Sequence, residues 1–485
     1  MNKFSKLLIL GLSSMMMLTG CINGNGQGKN DPKDPTDPAD PGTDPGTDPV
    51  TPSMPSKYSD YESQTWTAST EDCSWTILIY MCGSDLESGT DDEGETHPEE
   101  AGFATLDIQE ILSVKNQPND VNIVIQTGGA KEWNSKYGIK ADKLQRFHVA
   151  NQKLVKDSEL SLASMGKSST FKSFLEWGLS TYPADKTGLI FWNHGGAMDG
   201  VCFDENYKND SLTSSEVKGV LSSVLGSKKL EFVGYDACLM QVQDIADYNS
   251  NYFNYMVGAQ ESEAGEGWAY NYWIDDLYAK KDTKTILKAI CDGFIDSYDE
   301  TYGAQGYPND QTQSFLDLSK AKTYKTAFEN LATSLKSAIL KSSFTKEMKK
   351  VKRYADSYFE YKDYYTLINE YGYTADMFET YKEDGVTYYI LPGYYDYGLF
   401  DVYDFMFALK GQNSFSVDGD LLDELYAAYC DYVVYNRVGE DAGHSNGLCL
   451  VCPMEEYFVE NNYYPSSETA FTNWYKAVTS SSRNY

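Results

Sequence analysis

The chain has 485 residues, with 72 Asp and Glu against 40 Lys and Arg and a formal net charge of −32 at pH 7. A surface of that sign repels phosphates and anionic headgroups, which excludes nucleic acid as a partner and rules out membrane attachment through a basic patch. The apolar share of 41% is enough to bury a core, so the chain as a whole is not disordered.

Residues 1–20, MNKFSKLLILGLSSMMMLTG, carry Lys3 and Lys6 and then an apolar core from Leu7 to Leu18 that is short for a membrane span. This is the pattern of an export signal. Leu18-Thr19-Gly20-Cys21 matches a bacterial lipobox, in which the cysteine thiol takes a diacylglycerol, so Cys21 is expected to be the mature, lipidated N-terminus. Localisation is accordingly expected to be extracytoplasmic, with the lipid on Cys21 holding the protein to the bacterial cell membrane. Residues 21–66 contain the repeat DPKDPTDPADPGTDPGTDP; it has no apolar periodicity and reads as an extended, self-repelling stalk.

Beyond the stalk, five segments share one design: WTILIYMCGSD (75–85), VNIVIQTGG (121–129), TGLIFWNHGG (187–196), LEFVGYDAC (230–238) and YFNYMVGAQES (252–262). Each is a continuous apolar run ending in Gly or polar residues, as in strands buried on both faces. Helical spacing lies between them, in ATLDIQEILSV, in STFKSFLEWGL and in TSSEVKGVLSSVLG, where Thr213 and Glu216 form a candidate capping box. Alternation of this kind predicts an α/β fold with a mainly parallel sheet flanked by helices. Residues 67–315 are read as its catalytic domain and 316–485 as a C-terminal α/β lobe completing it.

Parallel sheets bind ligands beyond the carboxyl ends of their strands. His194 and Cys238 each close a strand at that edge, and neighbouring strands would bring them within reach of one another. Cys238 precedes LMQVQDIADY, read as a helix whose N-terminal dipole favours a thiolate, and His194 is placed to take or return its proton. Gly195 allows a tight turn that aims an N–H, beside that of Cys238, at a developing oxyanion. The combination describes acyl transfer through a thioester. Cys82 and Cys202 are rival nucleophiles; His97, His148 and His444 lack the setting of His194. Eight cysteines follow Cys21 without the spacing of a disulfide framework, and the Cys449-x-x-Cys452 pair in GLCLVCP reads as a buried strand rather than a zinc or redox site.

The NHGG and YDACLM motifs, the segment WTILIYMCGSDLE and the segment AQESEAGEGWAY resemble the clostripain family of cysteine peptidases, related in fold to caspases, legumains and gingipains. The similarity extends through SFLDLSKA, YDYGLFDVYDFM and SNGLCLVCP to the closing NWY, covering roughly Trp75 to Ala477. The resemblance implies a caspase-like fold, a catalytic dyad of His194 and Cys238, and an oxyanion hole that includes Gly195. Its implied substrates are proteins or peptides cut after Arg or Lys. Asp236 and Glu266 match the family's acidic pocket positions, with Glu261 and Glu263 as rivals for the second. A Glu where the family often has Asp leaves less room for Arg than for Lys.

Some family members cut themselves between histidine and cysteine; here FDENYKNDSLT offers Lys208 as the self-cleavage site. Calcium dependence also occurs in the family, but no ligand set is legible in this sequence, and no metal site or other cofactor is assigned. Two further readings stand beside the peptidase: a catalytically silent surface-binding lipoprotein on the same fold, and an enzyme of that fold preferring Asn or Asp.

Overall fold

The apolar runs become parallel strands because no face of them is left to water. In the computed structural model these are β1 (Trp75–Cys82), β2 (Val121–Gly128), β5 (Lys186–Trp192), β6 (Leu230–Asp236) and β7 (Phe253–Gly258), and every residue of β1 is buried. Two hairpin strands, β3 (Lys143–Ala150) and β4 (Lys153–Ser161), and two late strands, β8 (Thr312–Asp317) and β9 (Val433–Val438), complete a nine-stranded sheet. Its order is β9-β8-β7-β6-β5-β1-β2-β3-β4. The five strands read from the sequence form the parallel centre, and both pairs added at the edges run antiparallel. The structure describes residues 69–90, 101–303, 309–339, 398–410, 417–440, 445–452 and 471–481, with isolated positions and short strands elsewhere. The leader, Cys21, the stalk and His444 lie outside them.

Helices cover both faces of the sheet. On one side Ile77, Ile79 and Ile125 pack with Ala104, Ile108 and Ile111 of helix Phe103–Ser113 and with Trp273, Ile274 and Leu277 of helix Tyr270–Tyr278. On the other, Tyr80 meets Phe171 and Phe174 of helix Ser168–Thr181 at ring separations of 5.5 Å, and Phe191 stacks on Tyr235 at 5.4 Å. The capping box is formed as read: Thr213 Oγ1 accepts the Glu216 N–H, and the Glu216 carboxylate accepts the Thr213 N–H.

The strand β8 spans the boundary drawn at 315/316, and β9 joins the same sheet from much later in the chain. The C-terminal part therefore supplies β9 and the end of β8 to the sheet as well as its own helices. Those helices, Ala321–Ile339, Gly419–Tyr432 and Thr472–Ser481, pack through aromatic contacts such as Tyr324 on Tyr432 at 4.9 Å and Phe328 on Trp474 at 5.6 Å. Cys449–Val451 is a buried strand paired with Leu399–Asp401, and Cys452 is buried beside it.

Candidate active site

Register places the candidate dyad. The strands β5 and β6 are adjacent and parallel, with Trp192 opposite Asp236 as the last pair. His194 and Cys238 each lie two residues beyond that pair, so they leave the sheet at equivalent positions on neighbouring strands, whose axes are about 4.8 Å apart. Gly195 closes the gap: a Cβ built there would stand 2.1 Å from the Cys238 carbonyl oxygen, so only glycine permits the approach. His194, Gly195, Asp236 and Cys238 thus share one corner of the strand-end edge.

His194 keeps 23% of its side chain exposed, and its Nε2 lies 2.9 Å from Asp85 Oδ1. Burial pushes the imidazole pKa down, but the Asp85 carboxylate outweighs it and the net shift is upward. Asp85 moves the opposite way: burial raises it, yet His194 and the Ser84 hydroxyl bring it below the usual carboxylate value. The sequence reading named no third residue. Asp85 lay in plain view two residues past Gly83, at the same carboxyl edge, where the position of a polar side chain just beyond a parallel strand was the available signal.

The surroundings of Cys238 differ from expectation. The helix read as opening at Cys238 begins only at Gln243 and ends at Asn249. Between them Leu239 takes φ +63°, and the chain pairs like an extended strand: Leu239 N–H donates to Glu261 O, Gln241 N–H to Ala259 O, and Cys449 N–H to Gln241 O. Apolar spacing at 239–248 allows a helix, but these tertiary backbone bonds claim its first turn. No helix dipole therefore acts on the thiol. Burial and the nearby Glu263 charge instead push its pKa up to about 12, opposed by the Glu263 backbone N–H donating to Sγ at 3.2 Å. The rival thiols of Cys82 and Cys202 are both fully buried, whereas Cys238 remains partly exposed.

Behind the dyad lies a group of carboxyls. Asp236, 3% exposed, accepts the Trp268 N–H at 3.0 Å on one oxygen and the Tyr270 hydroxyl at 2.9 Å on the other. Tyr270 also donates its N–H to Glu110, which shares a helix face with Asp107. Asp107 in turn accepts the indole N–H of Trp192, the register partner of Asp236, while its other oxygen is buried without a hydrogen-bond partner. Burial raises Asp107, Asp236 and Glu263 alike, and the leading charges on Asp107 are those of Asp236, Glu110 and Glu266, all acids. Of the three candidate second acids, Glu266 accepts the Tyr302 hydroxyl, Glu263 is raised by burial and the Asp236 charge, and Glu261 is buried at 7%. Among the described residues no group of three or more His, Cys, Asp and Glu is arranged to hold a metal ion.

Lys208 stands apart from this corner. It is exposed, with φ +61°, at the turn between the short strands Val201–Asp204 and Asp210–Leu212, which follow His194 directly.

The family model for the clostripain family matches residues 95–482. Clostripain of Hathewaya histolytica is 24% identical over 387 residues, covering 70% of this chain and 68% of the relative. A secreted C11 cysteine protease from Bacteroides thetaiotaomicron, solved with an irreversible peptide inhibitor, superposes with a TM-score of 0.54 at 15% identity, covering 84% of this chain and 99% of that one. An inactive zymogen C11 protease from Parabacteroides distasonis gives 0.53 at 16% identity, covering 83% and 97%. These likenesses agree with the α/β fold and its mainly parallel sheet. With most of its length matched, the chain belongs to the clostripain family and is a cysteine-type peptidase.

Proposed function

We propose that this peptidase cleaves proteins and peptides after Lys or Arg, with Cys238 as nucleophile and His194 as acid and base. The observation that carries the reading is the register of β5 and β6, which leaves both side chains at equivalent positions with Gly195 against the Cys238 carbonyl. A thiol pushed up to about 12 rests as the neutral S–H. Its proton passes to His194 as Sγ bonds to the scissile carbonyl carbon, and the carbonyl electrons move onto oxygen. The backbone N–H groups of Gly195 and Cys238 are the proposed donors to that oxyanion. His194 then protonates the leaving amine as the C–N bond breaks, and water hydrolyses the thioester by the same route in reverse.

The preference for a basic side chain is supported by the carboxyl group behind the dyad. Burial raises Asp107, Glu110, Asp236 and Glu263, and neighbouring acids, Glu266 beside Asp107 among them, add like-charge repulsion that an arriving cation would relieve. Asp236 and Glu266 are the proposed contacts. Lys208, exposed at the hairpin turn, is the proposed site of self-cleavage. Lipidation at Cys21 would hold the enzyme outside the cell on its membrane; no helix among the described residues is long and apolar enough to cross one.

Initial rates on matched fluorogenic peptides ending in Arg, Lys, Asn or Asp, with Cys238→Ala alongside, test the reading. Cleavage after Arg or Lys that disappears in the variant supports it, whereas Asn or Asp preference overturns the specificity. No cleavage of any peptide, even after tryptic nicking at Lys208, would favour the surface-binding lipoprotein. Fragmentation at Lys208 that persists in pure Cys238→Ala protein would remove the self-cleavage claim.

A further inference from the structure

At the end of β1 the chain turns through Gly83 and Ser84, and Ser84 adopts φ +44°, a left-handed conformation that costs a non-glycine residue energy. The residue preceding His194 holds that turn in place. Asn193 Nδ2 donates to Cys82 O and to Ser84 Oγ, both at 2.8 Å, while its Oδ1 accepts the Phe203 N–H. The Ser84 hydroxyl donates to Asp85 Oδ1 at 2.6 Å, and this same oxygen lies 2.9 Å from His194 Nε2. Two consecutive residues of the β5 end, Asn193 and His194, are therefore both lashed to one strained turn on the neighbouring strand.

We infer that Asp85 is a positioning residue: by accepting the hydrogen bond from His194 Nε2 it orients the ring and leaves Nδ1 as the nitrogen that exchanges protons with Cys238 and the leaving amine. The inference rests on the reading of His194 as the acid and base. Throughout the cycle the Nε2–H stays in place; Nδ1 accepts the thiol proton as the C–S bond forms and delivers it to the amine nitrogen as the C–N bond breaks. Asp85 gains no proton and touches no substrate. The charged groups acting on His194 are Asp85 from the β1 turn and Glu205 from the following hairpin. Both are acids, so an imidazolium formed in mid-reaction is favoured, most directly by Asp85.

The test compares Asp85→Asn, Asp85→Glu, His194→Ala and wild-type enzyme on one Lys or Arg peptide from about pH 5 to 9. Asp85→Asn is expected to lose kcat/KM on the order of 10²- to 10⁴-fold, as when a histidine loses its orienting carboxylate elsewhere. KM should stay within about threefold and the acidic limb should move to lower pH, because the imidazole loses the charge that raised it. Asp85→Glu should recover part of the rate. Asp85→Asn activity within about threefold of wild type, with an unmoved limb while His194→Ala is inactive, would overturn the inference and leave the dyad standing. Retained activity in His194→Ala would instead overturn the dyad. Should Asp85→Asn fail to fold, ring ¹⁵N resonances of His194 in Cys238→Ala protein decide: a neutral ring protonated on Nε2 is expected, and one protonated on Nδ1 sinks the idea.

Discussion

The backbone N–H of Glu263 donates to Cys238 Sγ at 3.2 Å, and the Glu263 carbonyl oxygen lies 3.8 Å from the same sulfur. One residue of the loop after β7 thus covers the thiol. Coverage explains why a partly exposed sulfur behaves as a buried one, with its pKa pushed up to about 12 by desolvation first and the Glu263 charge second.

Alkylation should report that state. The rate of Cys238 modification by iodoacetamide is expected to keep rising from pH 7 to about 10, since only the small thiolate fraction reacts. A plateau below pH 8 would instead indicate a preformed thiolate–imidazolium pair.

Substrate binding should carry the opposite end of the same electrostatics. Burial raises the Asp236 carboxyl, so it holds a proton into the neutral range and cannot neutralise a cation while it does. KM for a Lys or Arg peptide is therefore expected to fall several-fold between about pH 5.5 and 8. Asp236→Asn should raise KM by at least about tenfold and flatten its pH dependence, because loss of one charge-assisted contact costs about 1.5–3 kcal/mol. A pH-independent KM in the wild-type enzyme would place the cation contact on another acid.

How much of this was legible depends on which forces set each feature. The five parallel strands were readable because burial on both faces demands uninterrupted apolar runs such as Trp75–Cys82. The placement of His194 and Cys238 at neighbouring strand ends was readable because they end two such runs. The strands β8 and β9 at one end of the sheet were harder: their pairing joins residues far apart in the chain, as in Phe315 with Tyr435, and nothing local announces it. The helix at Cys238 was misread for a related reason, since LMQV has helical apolar spacing while its backbone groups bond to Ala259, Glu261 and Cys449. Asp85 stood in a quoted segment, but its partner is fixed by the β1–β5 adjacency, which sequence order does not reveal.

Asp244 makes a stability prediction. It is buried, one oxygen accepts the Tyr475 hydroxyl of helix Thr472–Ser481 at 2.9 Å, and the other has no hydrogen-bond partner. Burial, only partly offset by that bond, raises its pKa to about 7. Between the unfolded value near 4 and about 7 the folded state binds the extra proton, so this group's stabilising contribution is lost as pH rises through that window. Asp244→Asn should show a smaller fall in Tm between pH 5 and 8 than the wild-type protein. An identical fall in both would mean that Asp244 titrates normally.

Gly195 permits the sharpest structural test, because a methyl group there has nowhere to go. An ideal Cβ would lie 2.1 Å from the Cys238 carbonyl oxygen and 2.9 Å from Met240 Cγ. The first neighbour is backbone, so relief requires moving the segment that carries the thiol. Gly195→Ala is expected to lose about 1–3 kcal/mol of stability by overpacking. It should also lose kcat/KM by at least about 10²-fold, the scale of a misplaced oxyanion donor. Gly219, inside helix Ser214–Leu225, is the control: a Cβ there meets nothing within 4 Å. Gly219→Ala should leave activity unchanged and raise stability by about 0.5–1 kcal/mol through helix propensity. Full activity in Gly195→Ala would mean that the Gly195 and Cys238 backbones separate during turnover, and the proposed dyad could not then rest on this contact.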